Sequence, residues 1–468
     1  MTDHSFSETL FKKTFSVKED KPASAFRLNH TPDKYFKLFP YKATPKTASP
    51  IIENMAECIS EFFRNVLEMK TEPVDRALLC GQLKENLDID DDDIELFDDI
   101  ISSLFFRDGK FYAYNIGSYP YQTEDNKSAE KIAEFIYCVF GLDHTDKGNV
   151  EDAIDRSSFN VLERMVVDTI NAQSSTPKPI TEKYYQIVRS VQRQFKADLA
   201  FMLSSNMTSV EDLTDLLSFY YFYYVSQTCI TLDQFGNGSR DRVTPLYFAL
   251  DWEKVSKNRK CCEEGWTKLQ GVISRMFSHA VTLEIINQSE STEMLDYIGF
   301  KTVADQSEDN DIWFSNEIKK AEATYVSYIG DCPKIRTLPE ETGANHTDAA
   351  IRHLFKCVYT QFNETERKRA SQLYSEKFSD FCKKRFVKNR KKSGLTLNLT
   401  EQDVIFLTKL AIQNNEKMRL IDLYKEFERR GVYLDLTSKG LLQEYFTKLN
   451  LIDKKSDSGD AQYVKRIL

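Results

Sequence analysis

The segment 398–468 carries the sequence pattern that most restricts how this chain can fold. Apolar residues recur there at helical spacing in three successive stretches, and two strand-like stretches follow with a turn-rich segment between them. The apolar positions are Val404, Leu407 and Ala411 in the first helix, Leu420, Leu423, Tyr424 and Phe427 in the second, and Leu442, Tyr445, Phe446 and Leu449 in the third. The strands are Leu451–Lys455 and Ala461–Lys465. Three helices and a hairpin predict a winged helix-turn-helix domain, whose third helix is the candidate for DNA recognition.

The ends of these three helices also have sequence signals. Thr400-Glu-Gln-Asp403 is typical of a capping box at the start of the first helix. Arg429-Arg430-Gly431 places basic residues and then a glycine at the end of the second helix. Thr437-Ser438 predicts the start of the third helix.

Length and composition predict a mainly α, multi-domain protein. A chain of 468 residues exceeds what one hydrophobic core usually serves. With 41% apolar residues, 16 Gly and 12 Pro, the chain is not mainly disordered, and a Gly-rich β-barrel is disfavoured. Asp108-Gly109 between apolar stretches predicts a hairpin, which belongs either to a second winged-type fold or to a protein-contact domain. The predicted segments are an extended N-terminal arm (1–50), a small helical domain with a hairpin (51–120), a helical body (121–360), a basic helix and linker (361–397) and the winged helix domain (398–468).

Motifs for the common enzyme classes are missing from the sequence. It contains no phosphate-binding loop, no dinucleotide-binding glycine pattern, no zinc-protease motif and no hydrolase nucleophile motif. Nine Cys without a Cys-x-x-Cys pair and six dispersed His predict structural side chains and no metal site. We therefore expect no catalytic site, no cofactor and no small-molecule substrate. Without a long apolar run or a signal-peptide pattern, we expect a cytoplasmic protein that does not enter a membrane.

Charge is distributed unevenly along the chain. The net charge is −9, but residues 361–468 hold 23 basic and 15 acidic side chains, whereas residues 1–360 hold 40 basic and 57 acidic ones. Phosphate repels the acidic part and attracts the basic part, because each bound Lys or Arg releases counterions. Any contact with double-stranded DNA should therefore be C-terminal.

A basic helix over Phe378–Lys392 is the main electrostatic candidate for that contact, since seven of its last ten residues are positive. A solvated charged helix that makes no DNA contact is the alternative. On the third helix of the C-terminal domain we expect outward-facing side chains that reach DNA, and on the wing we expect phosphate contacts. The predicted DNA-binding residues are Lys383, Lys384, Arg385, Lys388, Arg390, Lys391, Lys392, Ser438, Lys439, Gln443, Lys448, Lys454 and Lys455.

Three further motifs allow a functional and a structural interpretation. The acidic cluster Asp88–Asp99 begins like a calcium loop, but Asp93 occupies the position that requires glycine, so a solvated helix start is favoured. The aromatic run Phe219–Tyr224 could stack on bases, but its apolar setting without basic neighbours favours a core helix. Asp311, Glu317 and Lys319 have the spacing of a metal-dependent nuclease core, which is the enzymatic alternative.

Two stretches resemble a bacterial defence family. They are the wing segment Asn450-Leu-Ile-Asp-Lys-Lys-Ser-Asp-Ser-Gly-Asp-Ala-Gln-Tyr-Val464 and the aromatic run Phe219–Tyr224 followed by Val225-Ser-Gln227. Together with the overall length, they resemble the DptG/DndG component of DNA phosphorothioation-dependent restriction systems.

The resemblance implies a restriction-complex subunit that acts with a DptF-like ATPase and a DptH-like helicase on DNA lacking phosphorothioate marks. The lack of ATPase motifs and of a strong nuclease motif fits a subunit whose partners carry out the chemistry. The prediction is a non-catalytic, DNA-contacting adaptor. The alternatives are the divergent nuclease and a winged-helix transcriptional regulator.

Overall fold

The computed structural model describes residues 4–30, 32–43, 54–87, 89–123, 126–157, 159–177, 183–454 and 462–467. Over these residues the protein is mainly helical, which confirms the mainly α part of the predicted fold class. Its helices are α1 (Glu8–Thr14), α2 (Ile59–Val66), α3 (Arg76–Glu85), α4 (Ile94–Phe105), α5 (Lys127–Phe140), α6 (His144–Arg156), α7 (Val161–Ser174), α8 (Arg189–Ser204), α9 (Val210–Asp233), α10 (Lys268–Ile273), α11 (Met276–Ile286), α12 (Tyr297–Ala304), α13 (Glu308–Ser327), α14 (His346–Glu364), α15 (Lys368–Arg385), α16 (Glu401–Ile412), α17 (Leu420–Arg429) and α18 (Leu436–Lys448). Its strands are β1 (Met69–Thr71), β2 (Phe106–Arg107), β3 (Lys110–Phe111), β4 (Ser175–Pro177), β5 (Leu246–Leu250), β6 (Val387–Asn389), β7 (Leu395–Leu399), β8 (Lys417–Arg419), β9 (Val432–Tyr433), β10 (Ile452–Lys454) and β11 (Gln462–Lys465).

The chain forms two compact units. The smaller unit comprises residues 52–183 and 192–221, and the larger unit comprises residues 1–51, 184–191 and 222–468. These bounds differ from the five predicted segments, and that division stays a prediction. Every helix in the part of the chain that the structure describes is too short or too polar to span a lipid bilayer.

The smaller unit contains the predicted Asp-Gly hairpin. Strands β2 and β3 pair antiparallel, with Phe106 opposite Phe111. Asp108 and Gly109 have φ values of 50° and 76°, the positive values that a two-residue turn of this type needs. Both Phe rings are buried in a core to which α3, α4 and α7 also contribute. The hairpin therefore closes one side of the hydrophobic core of this unit.

The aromatic run Phe219–Tyr224 lies within α9, and all six side chains are buried. In the larger unit, the ring of Phe222 lies 4.5 Å from that of Phe386, and the Tyr223 hydroxyl donates a hydrogen bond to the Arg429 carbonyl at 2.8 Å. The prediction of a core helix is confirmed.

The described part of the N-terminal arm packs on the rest of the larger unit. It is not extended throughout, because Glu8–Thr14 forms α1. Its best-defined anchor is Glu284 of α11, which is fully buried and accepts the backbone N–H groups of Tyr35 and Phe36 at 2.7 and 2.9 Å. Burial raises the pKa of Glu284 to about 8, although these two hydrogen bonds oppose the shift. This buried carboxyl group is one of the points that hold the arm, and the Glu317 carboxylate, which accepts the Phe6 N–H, is another.

A four-stranded sheet in the larger unit corrects the predicted basic helix. Its order is β6-β7-β5-β9, with β5 parallel to both β7 and β9 and β6 antiparallel to β7. Helix α15 ends at Arg385, so the helix predicted over 378–392 is wrong beyond that residue. The apolar stripe of α15 ends at Phe386, and the next apolar residues, Val387, Leu395, Leu397 and Leu399, lie on strands around a turn at Gly394 (φ 84°).

The C-terminal segment contains helices and strands at the predicted positions. Helix α16 starts with the predicted capping box, in which the Thr400 hydroxyl and the Asp403 carboxylate each accept the other residue's N–H. Helix α18 is instead capped by Asp435, whose carboxylate accepts the N–H of Ser438. The antiparallel sheet has the order β10-β11-β8. Strand β8 was not predicted, because its sequence Lys-Met-Arg has only one apolar residue.

Gly431, just after α17, provides a test of how the end of this helix packs against Tyr223 of α9. Its φ is +76°, and a β-carbon there would lie 2.3 Å from the ring of Tyr223. We expect Gly431→Ala to lower the free energy of unfolding by about 2–4 kcal/mol, from backbone strain plus overpacking. In the matched control Gly440→Ala, the new methyl group on α18 meets nothing within 4 Å. This control should raise stability by up to about 1 kcal/mol through helix propensity. Thermal or urea unfolding would show both effects, and equal stabilities of the two variants would contradict the structure.

Candidate nucleic-acid interface

The predicted DNA-binding residues differ strongly in how much of each side chain reaches solvent. One group is exposed: Lys383, Lys384, Lys391, Lys392 and Lys448. A second group is partly buried: Arg385, Lys388, Arg390, Lys439 and Gln443. Ser438 is fully buried. Lys454 ends β10, and Lys455 lies outside the described residues. Exposure alone therefore divides the predicted set.

Arg390 holds the sheet together instead of facing solvent. Its guanidinium donates to the carbonyl oxygens of Leu250, Asp251 and Glu253 at 2.7–3.2 Å, and to the side chain of Asn398 at 2.6 Å. These carbonyl groups belong to the last residue of β5 and the residues after it. Because a buried carbonyl group without a partner costs about 1–3 kcal/mol, the natural role of Arg390 is to satisfy this strand end. The prediction that Arg390 binds DNA has no support in its geometry.

Two more of the predicted cations are engaged in ion pairs. Lys388 contacts the Asp251 carboxylate at 2.6 Å, and this contact lowers the pKa of Asp251. Arg385 donates two hydrogen bonds, at 2.6 and 3.2 Å, to the capping-box carboxylate of Asp403. Arg385 thus joins the end of α15 to the start of α16. Both pairs compete with phosphate for the same cations.

A buried polar cluster lies at the start of α18, and we call it the Arg259 cluster. It consists of Glu253, Arg259, Asp435 and Ser438. Arg259 makes two hydrogen bonds to Asp435, at 2.6 and 2.7 Å, and one to the Ser438 hydroxyl at 2.8 Å. That hydroxyl donates to the carboxylate of Glu253 at 3.0–3.2 Å. Every polar group of the cluster thus has a partner inside the larger unit.

Electrostatics within the Arg259 cluster follow from burial. Burial raises the pKa of Glu253, and Arg259 only partly opposes this shift. Burial would also raise the pKa of Asp435, but hydrogen bonds from Arg259 and from the Ser438 N–H leave it below its usual value. Asp435 is therefore the ionised partner of Arg259, and the same carboxylate caps α18.

The Arg259 cluster corrects the expectation that Ser438 faces outward. Ser438 lies one turn before Leu442 on the buried face of α18, so helical spacing itself places it inward, but the spacing carries no information about residues 251–260, which pack there. One turn before the end of the helix, Tyr445 also stacks on Trp252 with ring centres 4.7 Å apart. Sequence analysis missed Trp252, Glu253 and Arg259, because this segment has neither helical nor strand periodicity.

What remains exposed on α18 is of mixed charge. Lys439 is partly buried, pairs with Glu428 at 3.0 Å and lies over the ring of Tyr424. Gln443 is partly buried, and Lys448 is exposed together with Glu444. This face therefore offers little net attraction to phosphate.

The candidate nuclease residues all lie on α13, and both carboxylates serve structural contacts. Asp311 accepts the N–H groups of His346 and Thr347 at 2.9 and 2.7 Å, which caps the start of α14. Glu317 accepts the N–H of Phe6 at 2.8 Å. Six residues separate the two acids, so on one helix they point in different directions. The geometry gives the nuclease alternative no support.

Arg259→Met tests whether the cluster anchors α18. The substitution leaves Glu253 and Asp435 buried without their cation, so we expect a loss of about 3 kcal/mol or more in the free energy of unfolding. Lys257→Met is the control, because Lys257 is exposed two residues away and should change stability by less than about 0.5 kcal/mol. Chemical unfolding measures both. If the Arg259 variant is as stable as the control, the cluster does not anchor the helix.

No protein-family model matches this chain, and no curated protein matches it.

Proposed function

We propose that this chain is a non-catalytic, DNA-contacting adaptor subunit of a bacterial phosphorothioation-dependent restriction complex that acts on unmodified DNA. The resemblance of the wing segment and the aromatic run to the DptG/DndG component supports the biological setting. The uneven charge supports the location of the DNA contact, since residues 361–468 carry a surplus of eight positive charges in a chain of net charge −9.

The element order supports a winged helix-turn-helix domain at the C-terminus. Helix α16 is followed by β8, α17, α18 and the β10–β11 pair, and β8 completes a small antiparallel sheet with that pair. This element order supports the proposal of three helices and a wing. Strand β9, between α17 and α18, pairs instead with β5 of the larger unit.

The observation that carries the proposal is the contrast between α18 and the lysines that precede the domain. A recognition helix reads bases with its N-terminal residues. Here Ser438 is buried in the Arg259 cluster and Lys439 pairs with Glu428, which leaves Leu436 and Thr437 exposed in the first turn. Lys383, Lys384, Lys391 and Lys392 are exposed at the end of α15 and in the turn between β6 and β7. Contacts to phosphate fix a protein on DNA but carry no sequence information. We therefore propose DNA contact through these four lysines, without sequence reading.

The four lysines give the DNA contact a direct test. We expect the combined variant Lys383→Glu, Lys384→Glu, Lys391→Glu and Lys392→Glu to bind a mixed-sequence duplex more weakly than the wild type. The slope of log K against log salt should fall by about 2–4, since each lost phosphate contact removes about 0.9. Fluorescence anisotropy at several salt concentrations gives both quantities. Arg385 and Lys388 are left intact, because reversing their charge would break the pairs with Asp403 and Asp251.

The control carries the same change in net charge at other exposed lysines of the larger unit: Lys13, Lys18, Lys21 and Lys319. It should retain the wild-type slope within about one unit. Equal losses in both variants would mean that net charge alone drives binding. A strong preference of the wild type for one duplex sequence at physiological salt would favour the transcriptional regulator instead.

Complex membership is tested separately, by affinity purification of the full chain from its native host. We expect a DptF-like ATPase and a DptH-like helicase to co-purify, identified by mass spectrometry, and the Lys383/Lys384/Lys391/Lys392 variant to retain both. A chain that purifies without either partner would contradict the adaptor role.

A further inference from the structure

Two neighbouring helices of the larger unit bring together three side chains that are common metal ligands. Glu322 lies on α13, and His353 and Cys357 lie four residues apart on α14. Side chains at this spacing occupy the same face of a helix. We call Glu322, His353 and Cys357 the three-ligand cluster.

The ligand atoms of this cluster are close enough to share one ion. The Nδ1 atom of His353 lies 2.8 Å from a carboxylate oxygen of Glu322, and the Sγ atom of Cys357 lies 4.0 Å from the same Nδ1. All three atoms lie within 4.8 Å of one another. Ligand atoms around a tetrahedral zinc ion are roughly 3.3–3.6 Å apart, as follows from bond lengths of about 2.0–2.3 Å. The two pairs that include His353 would need to change by about 0.5 Å, and the Glu322–Cys357 pair by up to about 1.2 Å, for all three to bind.

Burial within the cluster is graded from one end to the other. Cys357 is 1% exposed, whereas the side chains of His353 and Glu322 are 21% and 19% exposed. The thiol therefore forms the inner end, and the imidazole and carboxylate reach the solvent. This arrangement gives an ion a path inward and leaves its outer side open to water.

A hydrogen bond between His353 and Glu322 accounts for the placement of these two residues but not for that of the thiol. Burial raises the pKa of Cys357 to about 12, and the nearby charge of Glu322 adds to the shift, so the thiol is protonated at neutral pH when no cation is bound. A bound cation would displace that proton. One thiolate, one carboxylate and one neutral imidazole balance a divalent charge, so the occupied site would be neutral overall.

We propose that Glu322, His353 and Cys357 bind one zinc-class divalent cation, with water in the fourth position, and that this ion links α13 to α14. The donor set selects the class of ion: sulfur and imidazole nitrogen suit zinc, whereas magnesium and calcium require oxygen ligands.

Cobalt is the probe for the test, because its spectrum reports a bound thiolate. The full chain is stripped of metal with a chelator, kept reduced and titrated with Co²⁺. We expect one equivalent to bind, with the visible bands of tetrahedral cobalt and a near-ultraviolet thiolate-to-cobalt band, and Zn²⁺ to displace it. The absence of the thiolate band at excess cobalt would overturn the proposal.

Variants show whether the bound thiolate is the proposed one. Cys357→Ser should abolish the thiolate band, whereas the control Cys332→Ser, which removes another buried thiol, should retain it. Glu322→Gln and His353→Gln should weaken cobalt binding by more than about 100-fold, because losing even an outer-shell partner costs about 10- to 100-fold. A band that survives in the Cys357 variant would overturn the proposal, as would wild-type affinity in both Gln variants. These two variants also decide the matter if Cys357→Ser fails to fold.

Zinc should also stabilise the wild type. A ligand that binds only the folded state raises the unfolding free energy in proportion to log(1 + [ligand]/Kd). We expect the thermal midpoint to rise with added Zn²⁺ in the wild type and in the Cys332 variant, and to stay constant in the Glu322 and His353 variants. A rise of equal size in all four proteins would place the ion elsewhere and overturn the assignment.

Discussion

The proposed role of the C-terminal segment depends on one interaction, the pairing of Arg259 with the capping carboxylate of Asp435. Removing charged groups from water costs several kcal/mol per ion, and only close, well-aligned hydrogen bonds offset that cost. Here one guanidinium meets Asp435 through two hydrogen bonds and is linked to Glu253 through the Ser438 hydroxyl. Because Asp435 also caps α18, the first turn of that helix is fixed to the segment that carries Glu253 and Arg259. Strand β9 adds main-chain hydrogen bonds to β5 just before it.

Some of the positive charges of the C-terminal region are engaged in contacts within the protein. Of the seven cations between residues 383 and 392, Arg385, Lys388 and Arg390 hold α16, Asp251 and the end of β5 in place. The other four cations, Lys383, Lys384, Lys391 and Lys392, are exposed, although Lys383 also lies 3.8 Å from Asp380, so charge density alone overestimates the DNA-binding potential of this stretch. A subunit with a small, sequence-independent DNA contact fits a complex in which partners supply the chemistry and the selectivity.

Local signals predicted local structure well. The capping box at Thr400, the Asp108-Gly109 turn and the buried aromatic run in α9 each depend on neighbours in the chain, and each was predicted from its sequence. Long-range partners were not predictable in this way. The strand at 395–399 alternates apolar and polar residues, but its parallel pairing with β5 joins segments far apart in the chain, and the Glu253 carboxylate that binds Ser438 lies 185 residues away. The three-ligand cluster was not predicted from residue spacing. Spacing reveals pairs of His or pairs of Cys, whereas this cluster combines Glu, His and Cys from two helices.

Hydrogen–deuterium exchange of the full chain with and without a mixed-sequence duplex tests the central claim most directly. The exchange of each amide reports local opening, so a bound duplex should slow exchange where it holds the protein. The account predicts added protection over residues 383–394, at the end of α15 and in the turn between β6 and β7. It predicts unchanged exchange over 435–443, where the Arg259 cluster already holds the helix. Protection over 435–443 without any change at 383–394 would mean that α18 enters the groove, which would contradict the account.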